Sequence, residues 1–309
     1  MNNVLDYYYN LHPNELILKD GKYFFEYLDR NYVFEPFIRP ITDIDALYNI
    51  NKQMIERNIL VHKIIPNIEN KVLTFVNNLS YVLMEIFINK DVRINLPEVC
   101  YINNNSILIE CDKVLNRTDW VTLWETKNDY FETQINEIGR KYPNLCTYAN
   151  YYIGLAENAI SYTKKIGEIK DDALLSVCSK RINSNDSLFC LYHPLNYIHD
   201  YRVRDVCEYI KSSFFNGEDA FVLVKEYFSN NYLSYKEVLL FFARLLYPSY
   251  FFDLYDDIVR NNLDESLINN IINIASSYEL FLNDVYFYLS NIYKTYIPSI
   301  DWQIKRSFY

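Results

Sequence analysis

Short runs of aromatic and branched residues alternate with turn residues in the first third of the chain. Residues 16–18, 23–28 and 32–37 form three such runs, and Lys19-Asp20-Gly21-Lys22 and Asp29-Arg30-Asn31 lie between them. Aromatic and branched residues favour strands, whereas Asp, Asn and Gly favour tight turns. The pattern therefore predicts a three-stranded antiparallel meander.

The following segment changes from the two-residue period of a strand to the three- and four-residue steps of a helix. Thr42 and Asp45 have the spacing of a capping box, and apolar residues then recur at helical steps up to residue 60. Two further apolar runs, 72–76 and 81–88, flank an Asn-Asn-Leu-Ser linker. They predict a β-hairpin.

Helical periodicity continues from Thr118 onward. Ser234 with Glu237, and Ser276 with Glu279, have the spacing of capping boxes and mark two expected helix starts.

The change of period predicts the domain organisation. An extended crossover near Asp91–Tyr101 joins a β-rich N-terminal lobe, residues 1–95, to a helical C-terminal lobe, residues 96–309. The expected fold class is α+β: a small antiparallel sheet with one helix, followed by a large helical lobe.

The chain contains five glycines in 309 residues, and no two are close enough to form a phosphate-binding loop. Neither GxGxxG nor GxxxxGK[ST] occurs. Both motifs use glycine because a Cβ would block the approach of backbone N–H groups to a pyrophosphate. The two commonest kinds of nucleotide site are therefore excluded.

The charge of the chain argues against nucleic acid as a partner. Its 31 tyrosines could stack on bases, but the net charge of −10 repels a phosphate backbone. Half of the residues are apolar, which is typical of a globular protein with a sizeable core.

The N-terminus and the cysteines indicate the expected compartment. The N-terminal segment MNNVLDYYYNLHPNE has no signal-peptide pattern, and no uncharged apolar stretch reaches the length of a membrane span. The six cysteines include no CxxC pair, so we expect buried reduced thiols. The expected location is the cytoplasm.

Three segments of the helical region resemble a known superfamily. YPNLCTYANYYIGLAENAISY, RDVCEYIKSSFF and VLLFFARLLYPSYFFDLYDDIV are similar to sequences of the aminoglycoside phosphotransferase and choline kinase-like superfamily, in its bacterial spore-coat kinase-like branch. The resemblance implies a bilobal, protein-kinase-like fold and an ancestral small-molecule kinase. The segments cover about a quarter of the chain as motif.

The resemblance implies catalytic groups that this sequence lacks. Kinases of this type use a lysine on the third strand and a catalytic aspartate in an HGD-type motif. The third-strand segment NYVFEPFIRP has no lysine and offers only Arg39 at its end. Ser179, Lys180 and Arg181 occupy the place of HGD, and neither cation accepts a proton at neutral pH.

Asp200 is the one candidate left for a catalytic or metal-binding carboxylate. It follows an apolar pair, and Asn196 lies four residues earlier, so the two could hold Mg²⁺ with ATP. The superfamily spaces its two metal ligands further apart. The alternative, which we favour, is that Asp200 caps a turn before the next helix.

Arg204 and Asp205 open that helix. In the superfamily an Arg-Asp pair at this place is structural, and a carboxylate is favoured near a helix N-terminus. We therefore expect Arg204 and Asp205 to support the fold.

Two other clusters are interpreted as ordinary structure. His193 and His199 lie six residues apart without a third histidine nearby, which disfavours a metal site. Trp120 and Trp124 have helical spacing, and core packing is the expected role, with a ligand-facing wall as the alternative.

Taken together, these patterns predict a kinase-like protein, a pseudokinase, that has lost phosphotransferase activity. We expect it to bind a protein partner or a small-molecule ligand in the cleft between the lobes, without a cofactor. The alternative is an active phosphotransferase that uses ATP and Mg²⁺ to modify a small-molecule hydroxyl.

Overall fold

The computed structural model describes residues 1–87, 92–138 and 141–300. Its strands are β1 (Ile17–Lys19), β2 (Lys22–Tyr27), β3 (Arg30–Pro36), β4 (Lys63–Ile65), β5 (Thr74–Val76), β6 (Leu79–Ile86), β7 (Leu175–Ser179) and β8 (Tyr197–Tyr201). Its helices are α1 (Asn2–Tyr9), α2 (Ile44–Glu56), α3 (Leu96–Asn105), α4 (Trp120–Ile138), α5 (Pro143–Gly167), α6 (Leu188–Leu191), α7 (Val203–Phe215), α8 (Ala220–Asn230), α9 (Tyr235–Leu246), α10 (Ser249–Asn261), α11 (Asn269–Ile272) and α12 (Ala275–Ile292).

The first six strands form one antiparallel sheet, in the order β1-β2-β3-β6-β4, with β5 also pairing with β6. The predicted meander is confirmed, because β1, β2 and β3 pair in succession. The predicted hairpin is confirmed as β5 and β6. Asn77 and Asn78 form its turn with φ values of 49° and 64°, the left-handed backbone that a two-residue hairpin of type I′ requires.

Helix α1 covers one face of this sheet. Leu5 and Tyr9 of α1 are buried in a cluster with residues of the strands, namely Phe25, Tyr32, Phe34, Tyr81 and Leu83. The Tyr9 hydroxyl lies 2.8 Å from Thr74 Oγ1. The polar tip of a mostly apolar side chain is thus satisfied within the cluster.

Helix α2 forms as predicted, but the capping box at Thr42 is wrong. A 3₁₀ turn, Ile41–Asp43, precedes the helix, and Asp43 at its N-cap makes no side-chain cap. The carboxylate of Asp43 is instead bonded by the guanidinium of Arg39. This ion pair spans only four residues, and α2 starts without a side-chain cap.

The predicted extended crossover over residues 91–101 is wrong from residue 96 onward, and residues 88–91 lie outside the described part. Asn95 caps α3, because its Oδ1 accepts from the backbone N–H of Glu98 at 3.0 Å. Asn, Pro and Glu in the order N-L-P-E are a helix-start signal.

The expectation that the chain stays helical after Thr118 is wrong at one place. Strands β7 and β8 form an antiparallel pair, with Val177 opposite His199. Both strands are largely buried, so neither shows the alternation of apolar and polar residues that identifies a half-exposed strand.

The chain divides into two compact units that are not continuous in sequence. The first comprises residues 1–116 and 175–202, and the second comprises residues 117–174 and 203–309. By these contacts, residues 96–116 and the β7–β8 pair belong with the first 95 residues. The division of the chain into lobes at residue 95 stays a prediction.

The second unit is helical. The capping box of Ser234 and Glu237 is confirmed at the start of α9. The one at Ser276 and Glu279 is wrong, because α12 begins at Ala275 and includes both residues. The stretch Tyr235–Asn261 is long and apolar enough to cross a membrane by composition, yet 83% of its most apolar 18-residue window is buried within the fold. The core helix of a soluble protein has the same property.

All six cysteines are free thiols, but only Cys178 and Cys207 are buried. The prediction of free thiols is confirmed. The prediction of burial holds for those two and is wrong for the other four, since Cys190 is exposed and Cys100, Cys111 and Cys146 are half-buried. The α+β fold class is confirmed. One unit contains the antiparallel sheet together with helices, and the other unit is helical.

Candidate functional site

The candidate site lies in the first unit, beside the turn between β1 and β2. Asp20 and Gly21 form this turn with φ values of 50° and 75°, so Lys19 and Lys22 pair directly across it. Nothing lies within 4 Å of a Cβ built on Gly21, and glycine is favoured there by the backbone conformation alone. The turn places Lys22 at the start of β2, next to β3.

Glu35 of β3 is a buried carboxylate held by two basic side chains. Its Oε2 lies 2.5 Å from Lys22 Nζ, and its Oε1 lies 2.9 Å from His193 Nε2. Burial raises the pKa of Glu35, but the charges and hydrogen bonds of His193 and Lys22 outweigh burial and lower it overall. Glu35 is therefore ionised at neutral pH. We call Lys22, Glu35 and His193 the charge cluster.

His62 lies behind the charge cluster. Its Nε2 is 3.2 Å from the carbonyl oxygen of Phe189, and its ring centroid is 4.8 Å from that of Phe189 and 6.3 Å from that of His193. Its Nδ1 is buried without a hydrogen-bond partner among the described residues. Burial, and then the neighbouring His193, lower the pKa of His62 to about 3. The imidazole is neutral, with the proton on Nε2.

Arg39 ties the end of the β3 segment to the start of β8. Its guanidinium donates to Asp43 Oδ2 at 3.0 and 2.8 Å, to the carbonyl of Leu195 at 3.1 Å and to that of Tyr197 at 2.7 Å. Four donations from one planar group fix the relative position of these segments. Arg39 acts as a tether, and its charge is compensated by Asp43.

The charge cluster and Arg39 line a cavity of about 290 Å³. Its walls carry the positive charges of Lys22, Arg39 and Lys180 and the negative charges of Asp20 and Glu35. The remaining lining residues are Gly21, Pro36, Phe37, Ile38, His193, Leu195 and Asn196. The volume is at the small end for a pocket that takes a drug-sized ligand.

Ser179-Lys180-Arg181, the segment that the resemblance aligns with HGD, lies at the end of β7 and contributes Lys180 to this cavity. Lys180 donates its backbone N–H to the carbonyl of Asn196 at 2.6 Å, and Arg181 Nη1 donates to the carbonyl of Lys180 at 3.2 Å. Ser179 is buried at the end of β7. The three residues thus present a cation where the resemblance places a catalytic carboxylate.

Asn196 and Asp200 lie on the same segment but in different surroundings. Asn196 ends a 3₁₀ turn and is part of the cavity wall. Asp200 is 1% exposed within β8, opposite Ser176, and its Oδ1 accepts from the backbone N–H of Tyr201 at 2.8 Å. Their role as Mg²⁺ ligands, and the alternative role of Asp200 as a cap, both stay predictions.

Arg204 and Asp205 lie in the first turn of α7. Arg204 Nη1 donates to Asp205 Oδ1 at 2.9 Å, and both side chains are buried. Their structural role stays a prediction.

Trp120 and Trp124 are core residues of the second unit, as expected. Trp124 stacks on Trp120 at 5.2 Å and on Tyr247 at 4.3 Å between ring centroids. Arg244 covers both indoles and bonds Glu208 at 2.6 Å. This buried ion pair was not visible in the sequence, because its partners lie on separate helices.

A metal site built on histidines is not supported by the described residues. No group of three or more His, Cys, Asp and Glu among them is placed to hold a metal ion. His199 is half-buried in β8, and burial lowers its pKa.

The charge cluster is the main feature that sequence analysis missed. His193 and Glu35 are 158 residues apart, and no local pattern connects them. One signal was available: Glu35 is the single charge in the otherwise apolar and aromatic run YVFEPF, which the sequence predicts to form a strand.

Comparison with known proteins connects this geometry to a family. A family model described as spore coat putative kinase YutH matches residues 2–285. The endospore coat-associated protein YutH of Bacillus subtilis (strain 168) is 27% identical over 176 residues, which are 51% of this chain and 51% of that protein. The match thus spans about half the length of that relative.

Solved structures with a similar fold are phosphotransferases. An aminoglycoside phosphotransferase from Alicyclobacillus acidocaldarius has a TM-score of 0.61 at 11% identity, covering 90% of this chain and 93% of that one. A spectinomycin phosphotransferase, solved with ADP and spectinomycin, has a TM-score of 0.56 at 12% identity, covering 85% and 89%. At these identities the similarity concerns the fold alone, and it confirms the kinase-like fold that the sequence predicted.

Proposed function

The chain belongs to the spore coat putative kinase YutH family, and on this premise we propose that it is a kinase-like protein that acts by binding and has lost phosphoryl transfer. The observation that carries the proposal is the charge cluster. Where the third strand of an active kinase supplies a lysine to the phosphates, β3 supplies the buried carboxylate of Glu35.

Electrostatics explains why this exchange opposes nucleotide binding. The phosphates of ATP need several aligned cations and a metal, and an ionised carboxylate in a buried wall repels them. Of the three cations in the cavity wall, Lys22 is paired with Glu35 and Arg39 with Asp43. Two of these positive charges are therefore already compensated before a triphosphate binds.

The missing general base is a second argument. Lys180 occupies the cavity wall where an aspartate would orient the acceptor hydroxyl, and a lysine is already protonated at neutral pH. Positioning and charge stabilisation are the main contributions of a kinase to phosphoryl transfer. Both contributions are weakened when Glu35 takes the place of the third-strand lysine and Lys180 that of the catalytic aspartate.

The partner in this proposal is another protein or a small ligand. The curated relative is described as endospore coat-associated, which supports a protein partner in the coat. The proposal includes a cytoplasmic place of synthesis, no required cofactor, and no nucleic acid, since the net charge is −10.

The second candidate function is an active phosphotransferase that uses Asp200 with Asn196. The presence of Asn196 in the cavity wall favours it, because an amide oxygen is a suitable ligand for Mg²⁺. It would require Asp200 to reach the same metal.

Thermal unfolding with and without Mg²⁺ and ATP separates the two candidates. A ligand at a hundredfold excess over its Kd stabilises a protein by about 2.7 kcal/mol. We expect no shift in melting temperature at millimolar ATP, and no ADP formed in a coupled assay with the wild-type chain.

The matched variants are Asp200→Ala and, as a control, Asp257→Ala, which removes an exposed carboxylate of α10. A shift with ATP in the wild type and in Asp257→Ala that disappears in Asp200→Ala would overturn the expected absence of nucleotide binding. Formation of ADP by the wild type and by Asp257→Ala, but not by Asp200→Ala, would establish the active kinase.

A further inference from the structure

A second cavity, of about 690 Å³, lies in the helical unit at the end of α7. It is independent of the charge cluster, because all of its lining residues belong to α7, the turn that follows it, and the segment from α11 to α12. These residues are Phe214, Phe215, Gly217, Glu218, Asn270, Asn273, Ile274 and Ser277. We call this cavity the α7 groove.

Two aromatic rings form the apolar wall of the α7 groove. Phe214 and Phe215 are partly exposed. The Phe215 ring centroid lies 4.1 Å from that of Tyr250, and the Phe214 centroid lies 5.3 Å from that of Phe281. Packing from behind holds the rings in fixed orientations, so the groove has a preformed apolar surface.

The end of α7 leaves these rings uncovered. Gly217 has a φ of 80°, and the bonds from Gly217 N to Phe214 O and from Glu218 N to Ser213 O complete a Schellman motif. The left-handed residue turns the chain away from the helix axis directly after Phe215. The rings therefore border the groove.

The segment from α11 to α12 supplies polar side chains to the groove. Asn270 lies in α11, Asn273 in the turn after it and Ser277 in the first turn of α12, and all three are exposed. Neither amide side chain makes a hydrogen bond to another described residue. Each amide offers two donors and an acceptor, and the hydroxyl offers one more donor.

The charges select among possible ligands. No lysine or arginine is among the residues described for the groove, and Glu218 contributes a carboxylate. A phosphorylated or acidic ligand is disfavoured by this wall, whereas a neutral ligand rich in hydroxyls suits it.

We propose that the α7 groove binds a neutral oligosaccharide. A sugar ring has an apolar face of C–H groups that fits against Phe214 and Phe215, and a rim of hydroxyls that pairs with the amides of Asn270 and Asn273. Aromatic rings and uncommitted amides that line one groove supply the two kinds of contact that such a ligand requires. Binding here is independent of the function proposed for the first unit.

Saturation-transfer difference NMR tests the site with three defined probes, chitotetraose, cellotetraose and maltotetraose. We expect one of them to give a signal with the full-length protein at millimolar concentration, strongest at the protons that face an aromatic ring. The Ser277→Trp variant fills the groove and should remove the signal. Ser276→Trp places the same side chain on the neighbouring exposed position outside the lining and should keep it.

A second pair of variants tests the amides. Asn270→Ala with Asn273→Ala should weaken binding about tenfold, the combined effect of two lost hydrogen bonds. Asn269→Ala removes an amide from the same segment outside the groove and should leave binding unchanged. Absence of any signal with all three probes, or equal signals from Ser277→Trp and Ser276→Trp, would overturn the proposal.

Discussion

The buried imidazole of His62 should make the stability of the protein fall in mildly acidic solution. Its ring is fully buried and neutral, with a pKa lowered to about 3 from the ordinary value of 6.5. In the unfolded chain the same ring binds a proton below about pH 6.5. The unfolded state therefore binds a proton that the folded state does not bind. As a result, the free energy of unfolding decreases as the pH falls from 6.5 toward 3.

The magnitude follows from the window between the two pKa values. Each pH unit below 6.5 costs about 1.4 kcal/mol, so His62 should cost about 2 kcal/mol at pH 5. Glu35 acts in a lower window. Its pKa is lowered below the ordinary 4.5, so the stability that it contributes is present above 4.5 and is lost below it. A comparison of the free energy of unfolding at about pH 7.5 and about pH 5 thus includes the titration of His62 and stays above the window of Glu35.

Urea unfolding followed by circular dichroism at these two pH values is the assay. The His62→Phe variant keeps a ring beside Phe189 but cannot titrate. It should be about 1 kcal/mol less stable at the higher pH, because it loses the hydrogen bond to the Phe189 carbonyl. Its further loss on going to the lower pH should be about 2 kcal/mol smaller than that of the wild type.

His199, whose pKa burial also lowers, contributes equally to both proteins and cancels in the comparison. An equal pH-dependent loss in wild type and His62→Phe would refute the reasoning, as would an NMR titration of the His62 ring with a midpoint above pH 5.

Two further predictions concern local features. Leu28 is 76% exposed and has a φ of 49°, a left-handed backbone conformation that costs a leucine about 1 kcal/mol. Leu28→Asn should therefore raise the melting temperature. Leu18→Asn, on the neighbouring exposed strand, should not raise it. Asp205→Ala removes the partner of buried Arg204 and should destabilise the protein by about 3 kcal/mol in urea unfolding. If that variant keeps its stability and instead loses ligand binding or phosphoryl transfer, Asp205 is a site residue and its structural assignment is wrong.

The parts of the fold that sequence predicts are those set by neighbouring residues. The meander follows from turn residues such as Asp20 and Gly21, and the start of α9 follows from Ser234 and Glu237. Each of these interactions spans four residues or fewer. Local chemistry is sufficient for them.

The parts that sequence did not predict depend on distant contacts. Arg39 donates to the carbonyls of Leu195 and Tyr197, which lie 156 and 158 residues further along the chain, and no local pattern predicts these contacts. Strands β7 and β8 pair across an intervening helix and turn and bury both faces, which removes the alternation that identifies strands. The site shows the same division: the absence of a third-strand lysine was readable from the sequence, but the pairing of Glu35 with Lys22 and His193 was not.

That pairing constrains how this chain can change over many generations. Replacing Glu35 by lysine would set a new cation against Lys22 and leave His193 without its carboxylate. Such a mutation would be selected against through its effect on folding, whatever its effect on activity. A lysine at this position of β3 therefore requires coordinated changes on β2 and before β8 as well.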